Sequence, residues 1–479
     1  MTAPDVVHAF GDDALADADA TGVAERVRAK EISATEACEA AIRRAERVQP
    51  LLNAVECAGF DQALAAAGLL PEGPFTGVPT FVKDNIDVAG LPTNHGTDAF
   101  VARPAAQDSP VVAQLKAQGL NVLGKSRLPE FGFSASTEYV RRDPVRNPWN
   151  LAYSAGASSG GSAALVAAGV VPIAHANDGG GSTRIPAAAC GLVGLKPTRG
   201  RLVADAMDNR LPIRIATQGV LTRSVRDTAR FYAEAEAYWR NPKLPPIRAV
   251  DGPSRTRLRV GLVLDSANGV PTDAETRACV LSTAELLTEL GHRVEETSLP
   301  VPSRFADDFA LYWGLLGLLV SKSGTRAFDP EFDLSLTDNL TRGLAQMCRS
   351  KLVRIPGSLL RLRRSAHDYH QVFTRFDVLL SPVLTHTTPT LGHLAPSLPF
   401  DELFPRLLAY VGFTPLNNAA GGPGISLPLG RTGLGLPIGC HLSADHGDER
   451  TLLELAYELE EAKPWTRIQD AGPAVQAVG

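Results

Sequence analysis

The sequence predicts a layered α/β fold from two observations. Helix-type and strand-type patterns alternate along the chain, which favours helices packed on a sheet. Apolar residues make up 44% of the 479 residues and charged residues 21%, as is ordinary for a globular protein with a packed core. Because this length allows two or three average domains or one large unit, composition leaves the number of domains open.

Capping residues predict the first helices. Ser33 with Glu36 forms a capping-box pattern, which predicts a helix running towards Arg47. The pair Ser109–Pro110 predicts the start of another helix, and Gly119 lies where the C-terminal cap of that helix should fall.

In the next part of the chain, small residues and glycines indicate two strands with a helix between them. Residues 120–123 are predicted to form a short buried strand. Residues 160–168 predict a helix of small residues that ends at Gly169. Residues 170–174 predict the following strand, which leads to Asp178.

The second half continues the same alternation. A proline-rich connector at 241–246 precedes a strand predicted over 258–264. Thr272 and Glu275 are predicted to cap the next helix, and Gly291 to end it.

Bulk properties disfavour several functional classes. The apolar run 309–320 has 12 residues, and because a bilayer span takes roughly 20, it predicts a core helix and no membrane span. The net charge of −5 gives no sign of the basic surface that binds nucleic acid. Residues 1–19 are polar and acidic, unlike a secretory leader, and the six cysteines include no Cys-x-x-Cys pair. We therefore expect a cytoplasmic protein with free thiols.

Two clusters of titratable residues are interpreted as structural. His367 and His370 are spaced to ligate a metal, but no other ligand cluster is evident, so neither a metal nor another cofactor is expected. Segment 349–364 holds six basic residues and no acid. Its leucines could form a membrane-surface helix, whereas a solvated helix face is the favoured interpretation.

A glycine run followed by a serine carries the main chemical signal. Within residues 176–184, three consecutive glycines stand directly before Ser182. Glycine adopts the backbone conformations that let several N–H groups converge on one point. A hydroxyl beside such donors is what acyl transfer requires, because the tetrahedral oxyanion must be held near the attacking atom.

A second run and a lysine complete the pattern. Residues 154–162 contain Ser158, and Lys83 ends the apolar segment 77–82. Lysine, serine and serine follow one another at separations of 75 and 24 residues. This order resembles the amidase signature family, whose members hydrolyse amides with a Lys–Ser–Ser triad and no histidine. Further matching stretches lie along nearly the whole chain, at 32–36, 50–54, 124–131, 136–138, 146–149, 194–201, 425–429, 435–439 and 464–465.

The resemblance implies an α/β fold built as a single large domain, 1–479, with a central twisted mixed sheet covered by helices on both faces. Its expected parts are an N-terminal helical segment (about 1–60), a catalytic core (about 61–235), a variable substrate-pocket region (about 258–400) and a C-terminal return to the core (about 401–470).

The resemblance also assigns the reacting groups. Ser182 is expected to attack the amide carbonyl, Ser158 to bridge the proton path and Lys83 to act as general base. In the family a non-proline cis peptide bond precedes the bridging serine, here Ala157–Ser158, with Ala157 where glycine is usual. The oxyanion hole is expected from the N–H groups of Gly179, Gly180, Gly181 and Ser182. The expected supports of the loop are Ser159, Asp178 and Arg184.

The assigned role requires Lys83 to be neutral at rest. Lowering its pKa from about 10.4 to about 7–8 removes roughly 3–4 kcal/mol of preference for the charged form. The apolar neighbours Val78, Phe81 and Val82 are compatible with the burial that produces such a shift. Asp84 is expected on the opposite side of the strand.

Two segments match patterns of other families. Residues 119–126 fit the phosphate-binding Walker pattern, but a helix precedes the first glycine and the middle of the segment is an apolar strand. Residues 156–160 fit the nucleophile elbow of α/β-hydrolases, which makes Ser158 the nucleophile and requires a histidine such as His441. The turn-like residues 147–150 before it disfavour that alternative.

Together these features imply a cofactor-independent amide hydrolase, most similar to hydrolases of cyclic amides and of 6-aminohexanoate oligomers such as the 6-aminohexanoate cyclic dimer. The apolar, aromatic region of about 300–375 suggests a hydrophobic acyl or aryl substrate, although core packing explains the same residues. We expect a small-molecule amide as partner and no nucleic acid, and a homodimer is compatible. Two alternatives stay open: an amidotransferase A-type subunit that passes ammonia to misacylated glutamyl- or aspartyl-tRNA, and a non-catalytic binding protein of the same fold.

Overall fold

A computed structural model describes residues 6–302 and 304–471, along which strands and helices alternate. The strands are β1 (Val55–Ala58), β2 (Pro79–Lys83), β3 (Asn121–Ser126), β4 (Arg146–Asn147), β5 (Asn150–Ser154), β6 (Ile173–Asp178), β7 (Val193–Lys196), β8 (Thr217–Thr222), β9 (Arg259–Leu262), β10 (Arg293–Glu296), β11 (Val378–Pro382), β12 (Gly424–Arg431) and β13 (Pro437–Ala444). The helices are α1 (Ala20–Arg28), α2 (Ala34–Leu52), α3 (Phe60–Ala67), α4 (Pro110–Ala117), α5 (Gly160–Ala167), α6 (Arg184–Cys190), α7 (Val225–Tyr238), α8 (Ala274–Glu289), α9 (Phe305–Ala327), α10 (Asn339–Ser350), α11 (Ile355–Val372), α12 (Phe400–Tyr410), α13 (Pro415–Ala420) and α14 (Glu449–Ala462).

The central sheet has eight strands in the order β10-β9-β11-β13-β12-β7-β8-β6. The first three are mutually parallel, and the remaining neighbours pair antiparallel. The main apolar core includes buried residues of this sheet and of the helices that flank it. The predicted α/β class with a central mixed sheet is therefore confirmed.

A smaller sheet, β1-β3-β2, lies beside the central one. Its edge strand β2 meets β6, the edge strand of the central sheet, and side chains bridge the two. Thr80 Oγ1 donates to the carbonyl of Ile173 at 3.0 Å, and the Lys83 N–H donates to His175 Nδ1 at 3.3 Å. This joint between the sheets positions the candidate site.

The predicted starts of α2, α4 and α5 are confirmed. Ser33 caps α2 and forms the full capping box with Glu36. Ser109 caps α4 by accepting from the Val112 N–H, and Gly119, one residue past the C-cap, adopts a left-handed φ of 86°. The helix of small residues, α5, also lies where it was predicted.

Several boundaries differ from the prediction. The strands predicted at 120–123 and 258–264 are β3 and β9, which span Asn121–Ser126 and Arg259–Leu262. Asp273, not Thr272, caps α8 by accepting from the Thr276 N–H, because the Thr272 hydroxyl donates to the Leu264 carbonyl instead. The strand predicted at 170–174 is β6, which begins at Ile173 and includes Asp178. The chemistry-bearing residues at its end are thus part of the strand rather than of the loop after it.

The apolar run 309–320 belongs to α9, and several of its side chains are buried. Within the described residues, no helix combines the length and apolarity that crossing a bilayer demands. All six cysteines are free, and five of them are buried, as predicted.

The basic segment 349–364 covers the end of α10 and part of α11. Arg361 pairs with Asp308 at 2.6 Å, whereas Leu352 and Val353 are 51% and 93% exposed. The solvated-face interpretation stays a prediction, as do the proposed parts of the domain, whose termini 1–5 and 472–479 lie outside the described residues.

Candidate active site

Lys83 ends β2 at the joint between the sheets, and its side-chain nitrogen reaches two neutral oxygens. Lys83 Nζ lies 2.7 Å from Ser158 Oγ and 2.7 Å from Asn177 Oδ1. Asn177 lies on β6, on the same side of that strand as His175. The structure therefore brings the predicted base and the predicted bridging serine into hydrogen-bond contact.

The Lys83 side chain is fully buried. Burial lowers the pKa of Lys83 to about 7, although the carboxylates of Asp178 and Asp208 act in the opposite direction. Asp84 is turned away, as strand alternation predicts, and accepts from Lys125 Nζ at 2.9 Å. Lys83 can thus be neutral near pH 7, the state that a general base requires.

Ser158 and Ser182 line one cavity of about 230 Å³. The Ala157–Ser158 peptide bond before the first serine is cis, as the family resemblance implies. Within the described ranges, no hydrogen bond joins the two hydroxyls. The apolar lining of the cavity includes Phe131, Phe133, Trp313, Leu316, Val320 and Phe328.

The glycine run after β6 presents free amide groups. Among the residues that the structure describes, no hydrogen bond occupies the N–H groups of Gly179, Gly180 and Ser182. Gly181 differs from the expectation, because its N–H donates to Asp178 Oδ1 at 2.7 Å. A side chain at Gly181 would also lie 2.3 Å from Thr414 Oγ1, so this glycine shapes the loop instead of offering a donor to the cavity.

Asp178 and Arg184 form a buried ion pair behind this loop. Arg184 Nε and Nη2 each donate to a different oxygen of Asp178 at 2.9 Å. Burial acts to raise the pKa of Asp178, but the charge and hydrogen bonds of Arg184 outweigh it and hold that pKa well below its usual range. Asp178 also accepts from the backbone N–H groups of Gly181 and Thr183, which ties the pair to the loop that carries Ser182.

Ser159 connects the two serine-bearing runs. Its N–H donates to the carbonyl of Ser182 at 3.3 Å, and its hydroxyl donates to the carbonyl of Asn177 at 3.4 Å. These contacts are those of a residue that supports the loop.

Helix α13 contributes contacts that the sequence did not indicate. Thr414 Oγ1, just before the helix, donates to the carbonyl of Gly180 at 2.7 Å. Asn418 Nδ2 donates to the Asp178 carbonyl at 2.8 Å, and Arg184 Nη2 donates to Asn418 Oδ1 at 2.7 Å. These residues lie more than 230 positions from the glycine run, and no local pattern marks them. Asn177 was also missed, because the strand predicted at 170–174 ends before it, whereas β6 places it in alternation with His175.

The two motifs from other families have structural explanations. In residues 119–126, Lys125 Nζ donates to Asp84 and to Thr93 Oγ1 at 2.9 Å each, within a strand. Ser158 contacts Lys83, whereas His441 Nε2 lies 3.1 Å from Arg184 Nη1. The histidine required by the elbow interpretation therefore belongs to the buried support of the loop.

Of the two histidines spaced to ligate a metal, His370 contacts a carboxylate. His370 Nδ1 lies 3.0 Å from Asp445 Oδ1. Across residues 6–302 and 304–471, no three His, Cys, Asp or Glu side chains group closely enough to hold a metal ion.

Comparison with known proteins gives a consistent result. The family model described as Amidase matches residues 36–453. The chain is 52% identical over 464 residues to the protein AmiC of Mycobacterium leprae, covering 97% of this chain and 99% of that protein. It is 33% identical over 478 residues to the 6-aminohexanoate-cyclic-dimer hydrolase of Paenarthrobacter ureafaciens, covering 93% and 95%. A solved structure of 6-aminohexanoate cyclic dimer hydrolase complexed with substrate superposes with a TM-score of 0.84 at 31% identity, covering 96% of this chain and 99% of that one.

Proposed function

Since the chain belongs to the amidase signature family, whose members hydrolyse C–N bonds of amides, we propose that it cleaves a small carboxylic amide through an acyl-enzyme on Ser182. Ser158 is the proton bridge and Lys83 the general base. The products are a carboxylic acid and an amine or ammonia.

In the first step the Ser182 oxygen bonds to the carbonyl carbon. Its proton passes to Ser158 while the Ser158 proton passes to Lys83. Asn177 Oδ1 can only accept, so it holds one Lys83 N–H and leaves the nitrogen lone pair for Ser158.

The negative charge that develops on the carbonyl oxygen needs donors. The free N–H groups of Gly179, Gly180 and Ser182 supply them, and each such donor is typically worth about 3–4 kcal/mol in the transition state. The buried pair of Asp178 and Arg184 keeps the loop in this shape.

In the second step the C–N bond breaks. Ser158 gives its proton to the departing nitrogen and regains one from Lys83. Water then attacks the acylated Ser182 along the same route, which releases the acid and restores all three residues. The sum is amide plus water giving acid plus amine.

The observation that carries the proposal is the 2.7 Å contact between Lys83 Nζ and Ser158 Oγ in a site where burial lowers the lysine pKa to about 7. The mechanism also requires the Ser182 hydroxyl to donate a hydrogen bond to Ser158 Oγ when substrate is present. Catalytic hydrogen bonds often tighten only in the substrate complex.

Likeness to 6-aminohexanoate-cyclic-dimer hydrolase supports an aliphatic amide, linear or cyclic, as substrate. An amidotransferase subunit with the same triad needs partner subunits to work. Steady hydrolysis of an amide by the purified single chain distinguishes the two.

A serine-reactive fluorophosphonate tests the triad directly. We expect it to label Ser182 in the native protein, and to label neither Ser182→Ala nor Lys83→Ala, with kcat for amide hydrolysis down about a thousandfold or more in both. Mass mapping of the labelled peptide gives the readout.

Cys190→Ala serves as the control, because Cys190 is buried on α6 near the same loop and has no part in the mechanism. It should keep the labelling and most of the turnover. Normal labelling and turnover in Lys83→Ala would overturn the proposal.

A further inference from the structure

The cavity at Ser182 adjoins a second, smaller chamber. The large chamber is the cavity of about 230 Å³ described above, and the small chamber has about 60 Å³. Ser182, Phe133 and Trp313 line both. The two chambers therefore meet at the proposed nucleophile, with the two aromatic rings at their boundary.

This aromatic boundary is held in place. The rings of Phe133 and Trp313 meet edge to face, with centroids 5.8 Å apart, and Trp313 Nε1 donates to the Phe133 carbonyl at 3.1 Å. Trp313 also stacks on Phe309, which lines the small chamber. A substrate must therefore place its two halves on opposite sides of a fixed wall.

The proposed mechanism decides which half lies where. Ser158 protonates the departing nitrogen, and it lines the large chamber but not the small one. The amine half then occupies the large chamber and the acyl half the small chamber. This step rests on the proposed function.

The small chamber is apolar and tight. Ala157, Ile185, Phe404 and Leu407 are among its lining residues. An apolar cavity of about 150 Å³ accommodates a benzene ring, so about 60 Å³ suits an acyl group of a few aliphatic carbons.

The large chamber is apolar on one side and acidic at one end. Leu316 and Val320 belong to its apolar wall, and Asp205 and Asp208 also line it. In the described part of the chain, neither carboxylate forms an ion pair with Lys, Arg or His. Both carboxylates are partly buried and outside any ion pair, and a cationic N–H donor is the partner that such a group binds best.

Asp208 is anchored by a hydrogen-bond chain that starts at the catalytic lysine. The Lys83 N–H donates to His175 Nδ1, so His175 carries its proton on Nε2, which lies 3.1 Å from Gln218 Oε1. Gln218 Nε2 then donates to Asp208 Oδ2 at 2.8 Å. One carboxylate oxygen of Asp208 is thereby fixed, which orients this carboxylate at the end of the large chamber.

We propose that the preferred substrate is an N-acylated diamine, with a short aliphatic acyl group in the small chamber and a second ammonium that reaches Asp205 and Asp208. The apolar wall of the large chamber contacts the carbon chain between the two nitrogens.

Three amides of matched length test this: N-butyrylputrescine, the neutral N-pentylbutyramide and the anionic N-butyryl-γ-aminobutyrate. We expect kcat/KM for the cationic amide to exceed that for the neutral one about tenfold, with the anionic one lowest. Asp208→Asn should reduce the cationic-to-neutral ratio to about three, because Asp205 keeps its charge. Asp87→Asn removes an equal charge from an exposed residue outside the cavity and should leave the ratio unchanged.

The boundary is tested separately with Trp313→Ala, which joins the chambers. We expect N-benzoylputrescine to gain about tenfold relative to N-butyrylputrescine in this variant. If either variant fails to fold, the three amides on the native protein still decide.

Equal or reversed preference among the three amides, with Ser182 labelled by fluorophosphonate, overturns this inference and leaves the proposed function standing. Labelling without cleavage of any of the three overturns it as well. Absence of both labelling and cleavage overturns the proposed function, and this inference with it.

Discussion

Lys83 and Lys125 lie on neighbouring parallel strands, and both are fully buried, but their partners differ. Lys125 donates to the carboxylate of Asp84, whereas Lys83 meets the neutral oxygens of Ser158 and Asn177. The two buried lysines of one sheet therefore differ. Lys125 is held in an ion pair, whereas burial lowers the pKa of Lys83 to about 7.

The pH dependence of turnover follows from that pKa. Below about pH 7 Lys83 is protonated and cannot accept a proton, so kcat/KM should fall tenfold per pH unit on the acid side and level off above neutrality. A pH series with one amide substrate measures this. A profile that stays flat down to pH 5 would show that another group is the base.

Among single residues, the sequence pointed to the three that we propose to react, because glycine-rich runs and a lysine after an apolar strand are local signals. It did not predict Asn177 as the partner of Lys83, because the predicted strand 170–174 ended before both His175 and Asn177. It also predicted a donor role for Gly181, whereas the structure has that N–H bound by Asp178.

Helix α13 stabilises the glycine-rich loop before Ser182 from a distant part of the chain. Asn418 is buried, and its amide satisfies the Asp178 carbonyl, an Asp178 carboxylate oxygen, the Ile215 carbonyl and an Arg184 N–H. Asn418→Leu keeps the volume but removes one hydrogen-bond partner from each of these buried groups. We expect the free energy of unfolding to fall by about 3 kcal/mol and kcat to fall about tenfold with a smaller change in KM. Urea unfolding and steady-state kinetics measure the two effects.

Ser33→Ala separates stability from activity in that experiment. It removes the capping box of α2, far from the loop, and should lower the free energy of unfolding by about 1 kcal/mol. Its kcat should stay at the native value. A kcat in Asn418→Leu equal to that of Ser33→Ala would mean that the loop does not need these contacts of α13.

Helix boundaries were predictable where a side chain caps its own helix, as Ser33 and Ser109 do. Around α8 the prediction chose Thr272 and the structure uses Asp273, because the Thr272 hydroxyl is engaged by the Leu264 carbonyl. Competition of this kind depends on the neighbouring strand, so the local sequence could not resolve it.

Across the whole molecule, buried ion pairs connect segments distant in sequence. Arg201 follows β7 and pairs with Glu236 of α7 at 2.7 Å and with Glu449 of α14 at 2.5 Å. Arg201→Ala leaves two carboxylates buried without a cation and should lower the free energy of unfolding by about 3–5 kcal/mol. Chemical denaturation monitored by circular dichroism provides the measurement.

Arg259→Ala is the matched comparison, since Arg259 pairs with Asp377 at 2.7 Å on the surface. Solvent screens that pair, and its loss should change stability far less. Similar losses in the two variants would argue that burial does not determine the strength of these contacts.

The α/β class could be predicted because alternation of patterns is a property of the chain itself. The joint between β2 and β6 could not, because Thr80 and His175 bridge strands that are far apart in sequence and not paired in a ladder. The site depends on that joint, since Lys83 is on one strand and Asn177 on the other.

The position of Trp313 gives the molecule a built-in optical reporter. Its indole ring adjoins both chambers, whereas Trp149, Trp239 and Trp465 line neither. When an acyl group is attached to Ser182, the surroundings of this one ring change while those of the other three do not. Under the proposed mechanism, intrinsic fluorescence should therefore follow formation and decay of the acyl-enzyme in real time, without a dye or a chromogenic substrate.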